Sequence, residues 1–284
     1  MIDVKNLSHY YGNDEILAVK NISFHVEAGE TFGFLGPSGA GKSTTQNILT
    51  GLLDLQQGEV QVAGYDLRKK DPRRFNSIGV SFEQANVYGK LTALENLRYY
   101  ASLFDVPTRD PMELLELVGL RDHAKERAST FSKGMKHRLT FARSMLNSPK
   151  LWFLDEPTTG LDPAIAAAIK ELIRQEKAKG TTIFLTTHNM YIAEELCDRV
   201  AFIVDGELKL IDTPTNLKPK FGHRVAEAEY LEQGSPVQRK FRLTDPEEKQ
   251  ALSSLIRDKE ILTMHTKEAT LEEIFIEVTG KGLV

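Results

Sequence analysis

Residues Gly36-Pro37-Ser38-Gly39-Ala40-Gly41-Lys42-Ser43-Thr44 match the pattern Gly-x-x-x-x-Gly-Lys-[Ser/Thr] in full. This spacing suits the holding of a phosphate chain. The glycines let the backbone curl so that successive N–H groups point inward, and a helix opening at Lys42 adds the positive end of its dipole. Lys42 then reaches the β- and γ-phosphates of a nucleotide, and the Ser43 hydroxyl suits Mg²⁺. Further along, the apolar run Leu151-Trp152-Phe153-Leu154 ends in two carboxylates, Asp155 and Glu156. Asp155 would hold Mg²⁺, directly or through water, and Glu156 would orient and polarise an attacking water. Paired carboxylates at a strand end can also be helix caps; the apolar run before them and Pro157 after them argue against that here.

These groups need a scaffold, and the flanking pattern supplies one. Ile2–Leu7 and Ile22–Val26 read as strands, with a turn at Glu27-Ala28-Gly29-Glu30. Thr31–Leu35 is a short apolar run fit for a buried parallel strand, and Lys42–Thr50 a helix that Gly51 can end. Strand, glycine loop and helix are the context a phosphate loop requires. Residues 85–148 read as mainly helical. Thr92-Ala-Leu-Glu95 is a capping box. Asp110-Pro111 offers an N-cap with proline at the first helical position, and Ser132 caps a helix over Lys133–Leu146. Strands at Leu151–Leu154, Thr181–Thr186 and Ala201–Val204 then alternate with helices opened by Asp162-Pro163 and at Met190. Alternation of this kind predicts an α/β fold with a parallel sheet covered on both faces.

After Thr213-Pro214 the texture changes, and Lys218–Gly222 reads as a boundary. Strands over Val225–Leu231, Val237–Leu243 and Ile261–His265, a helix over Pro246–Ile256 and a helix behind the capping box Thr270–Glu273 form a small α+β appendage. The predicted organisation is therefore a 1–222 nucleotide-binding domain, with a helical subdomain inserted at about 85–148, and a 223–284 accessory domain.

Bulk composition narrows the function classes. Formal net charge is −4 with 41% hydrophobic and 27% charged residues, ordinary for a globular protein. There is no global pull toward nucleic acid or anionic lipid. The basic run Arg68-Lys69-Lys70-Asp71-Pro72-Arg73-Arg74 reads as a solvated turn, because no aromatics interleave the charges. The single cysteine, Cys197, excludes an intrachain disulfide framework and lies in an apolar stretch where a buried hydrophobe is expected. The N-terminus lacks a signal-peptide pattern. No segment approaches the ~20 apolar residues that span a bilayer. A soluble chain is expected, with any membrane role carried by a partner.

Two further segments narrow the reading to one family. Phe131-Ser132-Lys133-Gly134-Met135 lies about twenty residues before Leu151, and Thr186-Thr187-His188 closes a strand. With the phosphate loop and the paired carboxylates in this order, residues 1 to about 222 resemble the ATPase subunits of ATP-binding-cassette (ABC) transporters. In that family a Leu-Ser-Gly-Gly-Gln signature opens a helix of the inserted lobe. Here Ser132 and Gly134 are kept, while lysine replaces the first glycine and methionine the glutamine. The resemblance implies that Ser132 and Gly134 touch the γ-phosphate of ATP bound to a second subunit. It makes Asp162, in Thr159–Pro163, the key residue of an interface loop, although Asp162 also reads as an N-cap. It makes His188 a switch histidine that contacts the γ-phosphate, and it stacks Tyr11 on adenine, with Tyr10 as competitor. The family's Mg²⁺-contacting glutamine falls on Glu83, with Gln84 next to it; either the loop shifts by one or a carboxylate stands near the metal.

The appendage, ending in Leu271–Gly280, looks like the extension of the drug-resistance and daunorubicin-type exporter ATPases. The expected function is an ATPase subunit that closes as a homodimer around two ATP molecules, with Mg²⁺, and drives a separate integral membrane permease. Its expected location is the cytoplasmic face of the membrane. The alternative is a soluble cassette ATPase of translation or DNA maintenance, but such chains usually carry two cassettes or a long coiled coil.

Overall fold

The computed structural model describes residues 1–12, 16–221, 225–232 and 234–282. The chain divides into two compact units, Met1–Ile211 and Asp212–Gly282.

The first unit begins with β1 (Ile2–Tyr11) and β2 (Ile16–Val26), followed by β3 (Thr31–Leu35), α1 (Lys42–Thr50), β4 (Gln57–Val62), β5 (Tyr65–Asp66) and β6 (Ile78–Ser81). The inserted helical segment carries α2 (Ala93–Ala101), α3 (Pro111–Leu117) and α4 (Lys133–Arg143). β7 (Leu151–Asp155), α5 (Pro163–Ala178), β8 (Thr182–Thr187), α6 (Met190–Leu196), β9 (Arg199–Val204) and β10 (Glu207–Asp212) complete it.

β1, β2, β4 and β5 form a four-stranded sheet in the order β2-β1-β4-β5, antiparallel at each pairing. The remaining strands form a six-stranded sheet in the order β10-β9-β3-β8-β7-β6. Its neighbours β9-β3, β3-β8, β8-β7 and β7-β6 are parallel. β3 and β8 are buried at every residue, as strands covered on both faces must be. Phe24 of β2 meets Phe32 and Phe34 of β3 and Phe184 of β8 at ring-centroid distances of 5.4–6.2 Å, joining the two sheets in one core. Because these strands run parallel, Leu35, Ser81, Asp155 and Thr187 all finish at one edge, the edge where open α/β sheets bind ligands. The α/β class read from the sequence is what the chain adopts.

The helix starts follow local chemistry. Thr92 and Glu95 make the reciprocal capping box. The Asp110 carboxylate accepts from the Met112 N–H, with Pro111 at the first helical position. α4 stops at Arg143, three residues short of the predicted Leu146. Beyond it, Ser144 donates to the Phe141 carbonyl and accepts from the Trp152 indole N–H at 2.8 Å, which ties this helix end to β7. β1 and β2 extend beyond the predicted strands, and β4–β6 were not read from the sequence, where Gly58 and glutamines dilute the apolar alternation.

The second unit contains α7 (Pro214–Phe221), β11 (Val225–Glu232), β12 (Ser235–Arg242), α8 (Pro246–Asp258), β13 (Ile261–Lys267) and α9 (Leu271–Thr279). Its strands form an antiparallel sheet in the order β12-β11-β13. Ala226, Ala228, Phe241 and Leu252 form its core, so α8 packs on one face. The division falls at Ile211/Asp212, before the boundary the composition suggests. Lys218–Phe221 is not a linker but the end of α7, which packs against α9 and buries Leu217. A proline in the last turn of a short helix forfeits only one backbone hydrogen bond, so Pro219 does not break it.

Candidate functional site

The phosphate loop spans the short gap between β3 and α1. Gly41 has φ +104°, a region closed to most L side chains, and a Cβ there would stand 2.7 Å from the Ala18 carbonyl. As the N-cap of α1 it has no side chain to offer, so the first-turn N–H groups gain no side-chain cap and stay available to an anion. The Lys42 ammonium donates to the carbonyls of Gly36 (2.6 Å) and Pro37 (2.9 Å), a loop geometry that opens toward phosphate oxygens. Burial lowers its pKa, against the charges of Glu156, Asp155 and Glu83. Ser38, Gly39 and Ala40 form the crown of the loop, and Ala40 N–H turns back to the Pro37 carbonyl.

Asp155 ends β7 and accepts from the Thr186 hydroxyl at 2.5 Å. The same hydroxyl lies 2.9 Å from Oε1 of Gln46, which is buried on α1, so its one proton is shared between the Asp155 and Gln46 oxygens. The loop helix and the β7–β8 edge are therefore locked together. Burial raises the Asp155 pKa, and Glu156 and Glu83 raise it further despite the Thr186 hydrogen bond. Glu83 follows β6 by two residues, and its charge raises the pKa of both Asp155 and Lys42. Asp155, buried and under the charge of Glu156 and Glu83, offers the hard oxygen donor that Mg²⁺ takes, although no three His, Cys, Asp or Glu side chains among the described residues converge into a metal cluster.

Glu156 follows β7 with φ 47°, an uncommon conformation for a residue with a side chain. This turns its carboxylate back onto the end of β8. Oε1 accepts from the His188 backbone N–H (2.8 Å) and from His188 Nδ1 (2.6 Å), and Oε2 accepts from the hydroxyls of Thr187 (2.9 Å) and Thr159 (3.0 Å). A carboxylate only accepts, so Nδ1 carries the proton and Nε2 is left as the atom available to a substrate. Glu156 is buried, whereas the His188 side chain is about half exposed.

The Tyr11 hydroxyl lies 3.3 Å from the Thr44 hydroxyl, and its ring packs edge-on against His9. Tyr11 rather than Tyr10 thus stands beside the phosphate loop. Ser132 accepts from the Met135 N–H and caps α4, as its spacing predicts. Lys133 and Gly134 line a cavity of about 390 Å³ together with Glu83, Gln84, His137 and Thr159. No residue of Gly36–Thr44 lines that cavity, but Glu83, whose charge reaches Asp155 and Lys42, and Thr159, bonded to Glu156, do, so the cavity opens beside the carboxylate side of the site. Asp162 holds the N-cap position of α5, but its side chain makes no capping hydrogen bond. The cap expected there is a backbone position only, and the carboxylate is left for other partners.

Sequence reasoning missed Gln46, Thr186 and Thr187 as supports of the two carboxylates, and it missed His137. Their only signal was position, since hydroxyls at a strand end are common. His137 is 5% exposed with neither ring nitrogen partnered, and burial and the nearby Lys133 lower its pKa.

Comparison with known proteins agrees with this geometry. Residues 19–159 match the family model described as "ABC transporter". A fluoroquinolones export ATP-binding protein of Mycobacterium tuberculosis is 48% identical, covering 100% of this chain and 94% of that protein. A linearmycin resistance ATP-binding protein of Bacillus subtilis is 32% identical over 100% of this chain and 99% of that protein. A solved ATP-binding cassette, dimeric in a post-hydrolysis state with ADP and Pi, superposes with a TM-score of 0.69 at 28% identity, covering 75% of this chain and 98% of that one. The chain belongs to the ABC transporter family, as an ATP-binding, ATP-hydrolysing subunit of the exporter type.

Proposed function

We propose that two copies of this chain close head to tail around two ATP molecules, each site formed by the phosphate loop of one copy and the signature segment of the other. The observation that carries this reading is a cavity that Lys133 and Gly134 share with Glu83 and Thr159 but with no residue of Gly36–Thr44. Lys42, Asp155, Glu156 and His188 cluster at the sheet edge, while Lys133 and Gly134 line a cavity with no phosphate-loop residue. Ser132 and Gly134 meet the γ-phosphate across the interface, and Asp162, free of its capping bond, faces the partner copy. Tyr11 stacks on adenine. Gly36–Thr44 enclose the phosphates. Ser43 and Asp155, with Glu83 or Gln84, hold Mg²⁺, which when bound neutralises charge developing on the β- and γ-phosphate oxygens.

Glu156 orients the attacking water, and His188 Nε2 meets the γ-phosphate. The Glu156 carboxylate already holds four donors. It must therefore release one to engage water, and the Thr159 hydroxyl, at the head of the interface loop, is the one that closure would displace. ATP favours the closed pair because it adds contacts from both copies; hydrolysis removes the bridging γ-phosphate and favours opening.

The subunit serves an integral membrane permease at the cytoplasmic face. Among the described residues no helix is long and apolar enough to cross a membrane. An apolar cavity of about 380 Å³, lined by Leu52, Phe75, Phe82, Tyr100, Leu103 and Phe104, supports permease docking where the helical insert meets the core. The names of the relatives support a small antimicrobial compound as cargo, carried along a path in the permease. Co-expression with a candidate permease, followed by measurement of drug accumulation with wild-type and Glu156→Gln chains, tests this. Export lost only in the variant supports the coupling; equal accumulation in both overturns it.

A further inference from the structure

α1 binds phosphate at its N-terminal end, yet the chain also builds a basic cavity at its other end. This cavity, of about 490 Å³, is lined by Gly51, Leu53, Asp54, Arg68, Lys70 and Arg74, with Phe75 at its margin. Arg74 is only 8% exposed. Its guanidinium meets Gly51 through Nη2, where a Cβ would stand 2.0 Å away, so glycine both ends α1 and makes room for the cation. The neighbouring Phe75 ring sits under it at 4.8 Å. The Arg74 Nε is buried without a hydrogen-bond partner. A charged donor left unsatisfied in a buried position is costly, and native structures rarely keep one without a role.

No carboxylate among the described residues forms an ion pair with Arg74. Asp71 feels its charge, but the Asp71 oxygens are taken by Arg73, with Nη2 at 2.6 Å and Nε at 3.1 Å. The cavity holds one carboxylate, Asp54, which Lys70 engages at 2.7 Å. Its lining therefore carries three cations, Arg68, Lys70 and Arg74, against one anion. Arg68 spends one donor on the Gly58 carbonyl and keeps others. Two guanidinium groups above an apolar floor are the chemistry that selects phosphate oxygens. Lys69 and Arg73 stand exposed beside them, so the run read from the sequence as a solvated turn folds around a buried arginine. The rim is apolar: Phe75 is 44% exposed, Leu52 63%, and Phe75 also lines the neighbouring apolar cavity.

We propose that this cavity binds a phosphate group, presented as an anionic phospholipid headgroup or as free phosphate. α1 is nine residues long, which separates this cavity from the nucleotide phosphates by about 13 Å. A lipid phosphate seated on Arg74, with its chains against Leu52 and Phe75, would hold the subunit to the membrane surface without its permease.

Vesicle co-sedimentation of the full chain under saturating ADP, which occupies the phosphate loop, tests this. The chain should partition onto phosphatidylglycerol/phosphatidylcholine vesicles and not onto phosphatidylcholine alone. Arg74→Gln should weaken this about fivefold, the effect of one basic residue at an anionic surface. The exposed pair Arg68→Gln/Lys70→Gln, which leaves the core intact, should weaken it more and keeps the test decisive where Arg74→Gln fails to fold. Calorimetric titration of inorganic phosphate separates the sources: saturable binding lost in these variants, without vesicle preference, assigns free phosphate and supports the site. Wild-type behaviour of the cavity variants with both probes overturns it. So does an equal loss of binding in Arg121→Gln/Lys125→Gln, on the helical insert, which would mark diffuse surface charge.

Discussion

The two halves of the proposed ATP site differ in how completely each is satisfied within one chain. At the sheet edge nearly every polar group has a partner: Lys42 holds loop carbonyls, Asp155 holds Thr186, and Glu156 takes four donors. On the signature side, Asp162 leaves its cap unmade, both His137 ring nitrogens are unpartnered, and Lys133 and Gly134 line an open cavity. One half is preorganised for phosphate, while the other keeps hydrogen-bonding capacity for something the chain does not contain. Chemistry built on the first half should fail inside a single chain; defects in the second should appear only when two chains meet.

The largest effect should come from the first half. Lys42→Ala removes the cation facing the β- and γ-phosphates, and hydrolysis should fall at least about 10³-fold, with weakened binding of a fluorescent ATP analogue. Glu156→Gln comes next: phosphate release should fall by about 10²- to 10³-fold while ATP affinity stays within about twofold of wild type. A matching loss of affinity would mean that Glu156 is structural. On the other half, Ser132→Ala should cut hydrolysis by roughly tenfold yet leave ATP binding to the isolated chain unchanged; weakened binding to the monomer would break the comparison.

His137 sharpens the contrast through pH. Its pKa is lowered from 6.5, so the unfolded chain takes up a proton that the folded chain refuses. Its cost to stability is absent above about pH 6.5 and grows as pH falls below that value. His137→Gln should therefore narrow the stability gap between pH 7.5 and 5.5 by about 1 kcal/mol, read from urea midpoints. The smallest expected effect is none at all. Cys197 is buried behind β3 and its thiol pKa is raised by burial, so iodoacetamide at pH 8 should leave it unmodified in the native chain and label it in urea. Rapid native labelling would show that the sheet opens and is not the rigid half.

How much of this was legible beforehand follows the same division. Gly36–Thr44 and Leu151–Glu156 could be read because backbone requirements and a buried parallel strand restrict which residues fit. Lys42–Thr50 with its Gly51 stop was read to the residue for the same reason. The supports of Glu156 were not legible, since Thr159, Thr187 and His188 converge only through strand pairing and a left-handed turn that nothing local announces. The Glu83/Gln84 choice stayed open in the sequence, because both residues follow the end of β6 and line one cavity. Asp162-Pro163 marked the start of α5 correctly although the carboxylate makes no capping bond, whereas Lys-Pro-Lys signalled a local break that the packing of α7 overrode.

Light scattering of Glu156→Gln with ATP and with ADP tests the composite two-copy site most directly. The account predicts a dimer with ATP and a monomer with ADP, and a return to monomer with ATP when Ser132→Ala and Gly134→Ala are added. A chain that stays monomeric with ATP, or dimerises equally with ADP, would contradict it.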